Sequence, residues 1–188
     1  MTQHSNLSDL FSTAVSEGSL SASGASVIKL ADYGAQIQAG LGVLVDNVKA
    51  SEVSLIAMLV DDSGSLGGKE DIVRAGCNGI IKALRDSKQV SGTLAYAVRL
   101  NGGIIYAFSP LASVPLLDSS NYAANGLTPL YTRTVELVAT AVAKLQQFGD
   151  AGVPARATLL IVTDGADSTG DQPEMVAPLI KDFLRSEQ

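Results

Sequence analysis

The sequence predicts an α/β protein with a mostly parallel central sheet, helices on both of its faces and one antiparallel edge strand. Three observations carry that prediction. Two apolar runs, "VSLIAMLV" and "ATLLIV", are continuous rather than alternating, which marks strands buried on both faces. Helical patterns separate these runs, and strand–helix alternation builds parallel sheets. An Asn-Gly turn inside "TLAYAVRLNGGIIYAF" joins two strands as a hairpin, which adds the antiparallel strand.

Residues 1–50 form an N-terminal extension, partly helical, that packs on a main domain spanning residues 51–188. In the extension, "SDLFSTAVSEG" predicts a short helix capped by Ser8 and ending near Gly18. The small polar stretch "SEGSLSASGAS" reads as a loop between helical pieces. "VIKLADYGAQIQAGLGVLV" is readable as helix or as strand, and its glycines weaken the helical reading.

From residue 51 the pattern is regular. After the first buried strand, "KEDIVRAGCNGIIKALRDS" is an amphipathic helix whose apolar stripe holds Ile72, Val73, Cys77, Ile80, Ile81 and Leu84. The hairpin follows, and then the irregular stretch "PLASVPLLDSSNYAANG". "TPLYTRTVELVATAVAKLQQFG" is a long helix with Thr128 at its N-cap, Pro129 at its first position and Gly149 at its end. "ATLLIVTDG" is the second fully buried strand. "QPEMVAPLIKDFLRSEQ" is a last helix, bent at Pro178. There is no internal repeat and no low-complexity tract.

Composition narrows the function classes. At 188 residues and 46% hydrophobic, the chain can bury a sizeable core. A net charge of -6 provides no basic footprint for phosphate backbones or for an anionic membrane surface, so neither nucleic acid nor membrane is an expected partner. Cys77 is the only cysteine, which rules out an intramolecular disulfide, and its place on an apolar stripe reads as packed core. "MTQHSNLSDLF" lacks the basic-then-apolar pattern of a secretory signal. No apolar run reaches the roughly 20 residues that span a bilayer, so the cytoplasm is the expected compartment. The sole histidine, His4, lies in the terminal segment, which weakens several enzyme readings.

In open α/β sheets, ligands bind outside the carboxyl ends of the strands. The first buried strand ends there in "DDSGS", the second in "TDGADS", and the long helix opens nearby with "GLTPL". Three loops thus carry Asp61, Ser63, Ser65, Thr128 and Asp164 toward one crevice. Every one of these is an oxygen donor, which disfavours zinc and copper and favours a hard cation, Mg²⁺ or Mn²⁺. Two carboxylates with neutral hydroxyls leave such an ion enough charge to attract a carboxylate from outside. In D-x-S-x-S, alternating residues of a tight turn point the same way, and Gly64 lets the backbone bend between them.

These residues resemble the metal-ion-dependent adhesion site (MIDAS) of von Willebrand factor type A (vWA) domains. The D-x-S-x-S element matches at Asp61, Ser63 and Ser65, the distant threonine at Thr128 in "GLTPLY", and the distant aspartate at Asp164 in "LLIVTDGADS". The resemblance runs over roughly residues 51 to 188, with the elements in the family's order. It implies a Rossmann-like fold, a bound divalent cation, usually Mg²⁺, and capture of a protein partner whose Asp or Glu completes the coordination. It also implies work beside an ATPase or in a multi-protein complex, with no catalytic activity. Family members usually carry one or two further strand and helix units, so the resemblance implies a sheet that is short at its C-terminal side. A truncated chain, a strand supplied by the N-terminal extension, or a homo-oligomer formed through the exposed sheet edge would each account for this.

Other readings stand beside this one. Taken singly, Ser63, Ser65 and Thr128 are helix caps more often than ligands. Asp62 reads as a solvated rim charge; Asp167 also reads as rim, able to hold a water at the site's edge. "DSGS" suggests a serine nucleophile, but the base would have to be His4 or Lys69, and Lys69 reads as an ordinary surface charge. "DDSGS" lacks the second aspartate of haloacid-dehalogenase-like phosphatases, because that residue is Ser63. "GSLGGKE" misses the phosphate-loop spacing and has Glu70 in place of the hydroxyl. Tyr122 and Tyr131 flank the Thr128 loop, as partner anchors or as packing. Two rival functions remain: a metal-dependent phosphoesterase using the same carboxylates, with Asp62 or Asp167 as base, and a scaffold subunit whose metal site is unused.

Overall fold

Four strands make the central sheet: β1 (Val53–Val60), β2 (Thr93–Arg99), β3 (Gly103–Pro110) and β4 (Ala155–Val162). The computed structural model describes residues 6–30, 33–88 and 90–185, so His4 lies outside the described residues. Strand order is β3-β2-β1-β4. β1 runs parallel to β2 and β4, and β3 is antiparallel to β2 across the hairpin. This is the predicted fold class.

Register decides where the site forms. Val60 sits between Arg99 of β2 and Val162 of β4, so the three parallel strands end level. The residues that follow, Asp61, Leu100 and Thr163, therefore emerge together at one edge. From β1 the chain moves to β2 on one side and later returns to β4 on the other. The carboxyl end of β1 is thus the point at which the strand order reverses, the usual place for a ligand crevice.

Helices cover both faces. They are α1 (Leu7–Ser16), α2 (Ala22–Leu30), α3 (Gly34–Gly40), α4 (Glu70–Arg85), α5 (Leu130–Asp150) and α6 (Ala177–Arg185). On one face, Leu55 and Leu59 of β1 share a buried cluster with Val138 of α5, Leu10 of α1, Ile37 of α3 and Leu179 of α6. On the other, Ile56, Met58 and Val60 pack on Cys77 and Ile81 of α4 and on Val114, Leu117 and Tyr122 of the irregular connection. Cys77 is core, and burial pushes its thiol up to about 11.

A surface helix normally leaves one side in water. α5 does not, because every residue from Thr134 to Lys144 is buried. The N-terminal helices close over its outer side, where Leu10, Phe11, Ile28 and Ile37 share its buried cluster. The charges caught beneath them are accommodated locally. Glu136 pairs with Arg133. The Lys144 ammonium donates to the Val43 carbonyl and to Gln147 Oε1, and lies 5.4 Å from the centre of the Phe148 ring.

Several expectations are corrected. Asn6, not Ser8, caps α1; its Oδ1 accepts from the Ser8 amide at 3.1 Å. α2 starts at Ala22, within the small polar stretch expected to be a loop, and the ambiguous stretch forms α3 and the end of α2 and contributes no strand among the described residues. Ile72 is 72% exposed, because it shares its helix side with exposed Gly76 rather than with Cys77. α5 starts at Leu130 and runs through Gly149 to Asp150. Pro178 stands in the first turn of α6, where its missing N–H breaks no helical bond, so the helix starts there instead of bending. β4 is not fully buried. It is flanked only by β1, and Thr158 and Ile161 are exposed, so among the described residues its outer edge pairs with no strand. No helix among the described residues is long and apolar enough to cross a membrane.

Candidate functional site

Asp61 is the innermost member of the site, with 1% of its surface exposed. Its main chain is fixed from two sides: the amide donates to the Val162 carbonyl at 2.9 Å, and its own carbonyl accepts from the Tyr122 hydroxyl at 2.7 Å. Tyr122 is thereby buried packing, not an exposed anchor. The Asp61 carboxylate accepts from the Ser63 amide at 2.8 Å and from Thr163 Oγ1 at 2.7 Å. Among the described residues no cation pairs with it. A buried carboxylate without a counter-charge is expensive, so its environment favours a cation.

From Ser63, whose amide Asp61 holds, a line of oxygens leads outward. Ser63 Oγ, which is buried, lies 3.1 Å from Ser65 Oγ, and Ser65 Oγ donates to Asp164 Oδ1 at 3.0 Å. Lys69 Nζ donates to Asp164 Oδ2 at 3.2 Å. The hydrogen bonds from Ser65 and from Lys69 hold the Asp164 carboxyl below the usual aspartate range. The capping explanation fails for both serines, since neither the 3-10 turn at Gly64–Leu66 nor α4 is capped by a side chain.

Thr128 is buried beside this line. Its amide donates to Ser168 Oγ at 2.7 Å, and its carbonyl accepts from the amides of Ser168 at 3.1 Å and Leu130 at 2.8 Å. The Gly64 amide donates to the Gly126 carbonyl at 3.0 Å. The 126–128 loop is thus joined to both the D-x-S-x-S turn and the loop after β4. The Thr128 hydroxyl caps no helix, and among the described residues it makes no hydrogen bond to the other four side chains. The structure therefore brings Asp61, Ser63, Ser65 and Asp164 into one hydrogen-bonded cluster and anchors the Thr128 backbone alongside.

Two residues differ from expectation. Asp62 is not a solvated rim charge: it is 3% exposed, and its Oδ1 accepts from the Asn101 amide and from Asn101 Nδ2. Adjacent residues leaving a strand point to opposite sides, so one of two consecutive aspartates had to turn toward the hairpin. Lys69 is not an ordinary surface charge either, because it closes the outer end of the cluster. Asp167 shapes its own loop. Its Oδ1 accepts from the Thr169 amide and hydroxyl, both at 2.8 Å, and its Oδ2 accepts from the Tyr131 amide at 3.3 Å. Thr163 and Ser168 had no signal of their own in the sequence beyond their place next to the second strand end.

Chemically, among the described residues the cluster offers two carboxylates and hydroxyls, with no sulfur and no imidazole. Among the described residues no three His, Cys, Asp or Glu side chains gather as a metal site. A cation here would depend on Asp61 and Asp164 together with neutral hydroxyls, a donor set suited to a hard divalent ion. Comparison with protein-family models, with curated proteins and with solved structures found no match to this chain.

Proposed function

We propose that this chain is a divalent-cation-dependent protein-binding module of the von Willebrand factor A type. The observation that carries the reading is Asp61: a buried carboxylate with no cationic partner among the described residues, which holds the amide of Ser63, whose hydroxyl begins a line of oxygens through Ser65 to Asp164 at the surface. Asp61, Ser63, Ser65, Thr128 and Asp164 would hold Mg²⁺ or Mn²⁺. These residues would leave a cation held there open to an Asp or Glu carboxylate of a protein partner. The two aspartates provide charge and the three hydroxyls provide neutral donors, so the site stays net attractive to an acidic group. Asp62 and Asn101 fix the loops that carry these donors. The activity is binding, in the cytoplasm, within a multi-protein complex or beside an ATPase.

Thermal unfolding and calorimetric titration with Mg²⁺, on the wild type and on Asp61→Ala, test the reading. Mg²⁺ raises the wild-type melting temperature and chelator removes the rise. At 100 times the dissociation constant, the gain is about 2.7 kcal/mol. Asp61→Ala shows neither the rise nor binding heat. A wild type indifferent to millimolar Mg²⁺ in both measurements refutes the assignment.

A further inference from the structure

We propose that Lys69 is a tethered counter-cation that competes with the divalent ion for Asp164 and so sets the affinity of the site. The inference rests on the metal-binding reading above and adds a regulator to it. Both oxygens of Asp164 are engaged, Oδ1 by the Ser65 hydroxyl at 3.0 Å and Oδ2 by the Lys69 ammonium at 3.2 Å. Any ion that draws on Asp164, directly or through water, meets a positive charge already in place. Two further cations near the strand ends are engaged elsewhere: Arg99 faces Asp62 at 4.0 Å, and Arg133 donates to the Leu100 carbonyl and pairs with Glu136.

The way Lys69 is mounted suits exchange. Its backbone is fixed, with the amide donating to the Leu66 carbonyl at 2.8 Å and the carbonyl accepting from Ile72 and Val73. Its side chain is 55% exposed, so the ammonium can leave Asp164 without disturbing that anchor. Helix stability does not explain the residue. Lys69 immediately precedes α4, and a cation at the positive end of a helix is unfavourable, whereas Glu70 and Asp71 in the first turn are the helix-stabilising choice. An ion pair this exposed also adds little to folding. Its consequence therefore lies in ion binding.

Calorimetric Mg²⁺ titrations of the wild type, Lys69→Gln, Lys69→Arg and Asp61→Ala, in low and in high KCl, decide the matter. Lys69→Gln binds Mg²⁺ roughly three- to tenfold tighter than the wild type, the size expected from removing one screened charge beside the ion. Lys69→Arg keeps wild-type affinity. The gain shrinks in high salt, because it is electrostatic, and the melting temperature in chelator stays at the wild-type value. If Lys69→Gln binds no tighter while wild-type binding still requires Asp61, Lys69 does not compete and the metal site stands without it. If neither the wild type nor Lys69→Gln binds Mg²⁺, the metal-binding reading falls and the competition falls with it.

Discussion

Asp62 accepts two hydrogen bonds from one residue, at 2.8 Å from the Asn101 amide and 3.1 Å from Asn101 Nδ2, both on Oδ1. The same Nδ2 donates to the Leu127 carbonyl at 2.7 Å, and the Asp62 carbonyl accepts from the Asn125 amide. The Asp62 carboxylate therefore joins the end of β1 to the hairpin turn, and its main-chain carbonyl, together with Asn101, joins both to the loop carrying Thr128. The Asp61 carboxylate turns instead to the Ser63 amide and the Thr163 hydroxyl, so the two neighbouring aspartates serve different loops.

Asp62→Ala should accordingly cost folding stability, while Asp164→Ala should not. Removing Asp62 leaves Asn101 short of an acceptor and Arg99 without its nearby carboxylate, a loss of about 1–3 kcal/mol. Asp164 is an exposed residue held by a surface ion pair, and its loss stays within about 0.5–1 kcal/mol. Asp62→Asn, which retains one acceptor, falls between the two. Urea melts of the three variants in chelator measure this. Equal midpoints for Asp62→Ala and the wild type would show that the three loops are held by something else.

The contrast between neighbours shows where the sequence could be read and where it could not. Asp61, Ser63 and Ser65 were legible because a buried strand followed by polar residues at fixed spacing leaves few local alternatives. The roles of Asp62, Lys69 and Thr163 depend on which loops the sheet register brings alongside, and that is tertiary information. The antiparallel edge was legible from Asn101 and Gly102. The exposure of β4 was not, because "ATLLIV" has the composition of a central strand and it is an edge only because, among the described residues, no strand pairs with its outer side. The helices of the N-terminal segment were obscured for a related reason: tertiary packing on α5, rather than local propensity, decides that Ile37 lies in a helix.

Gly42 tests whether that N-terminal segment is integral. Its φ is +59°, and a Cβ placed on it would lie 2.1 Å from the Phe108 carbonyl oxygen. That approach lets the next amide, Val43, donate to the same carbonyl at 2.8 Å. Gly42→Ala brings backbone strain and a backbone clash together, so a loss above about 2 kcal/mol is expected. If the segment only rested on a self-sufficient domain, the change would free residues 6–43 and leave the main unfolding transition where it was. Limited proteolysis alongside thermal unfolding separates these outcomes: a lower melting temperature for the whole domain marks an integral segment, and early N-terminal cleavage at unchanged melting temperature marks a detachable one.

Lys144 gives the stability a pH dependence with a definite sign. Burial pushes its pKa down to about 8 from an ordinary 10.5. Below pH 8 the ammonium is charged in both folded and unfolded chains, and the folded state carries the full cost of burying it. Between the two values the unfolded chain binds more protons than the folded one, so this group makes stability rise with pH across that window, by at most roughly 1.4 kcal/mol per pH unit. The comparison is wild type against Lys144→Met, which has no such group; the tyrosines titrate alike in both and cancel. Denaturant melts from pH 7 to pH 10.5 should show the wild type gaining on the variant above pH 8. A difference that stays flat over the window means Lys144 keeps its ordinary pKa, with the Val43 carbonyl, Gln147 and the Phe148 ring stabilising the charge as well as water does.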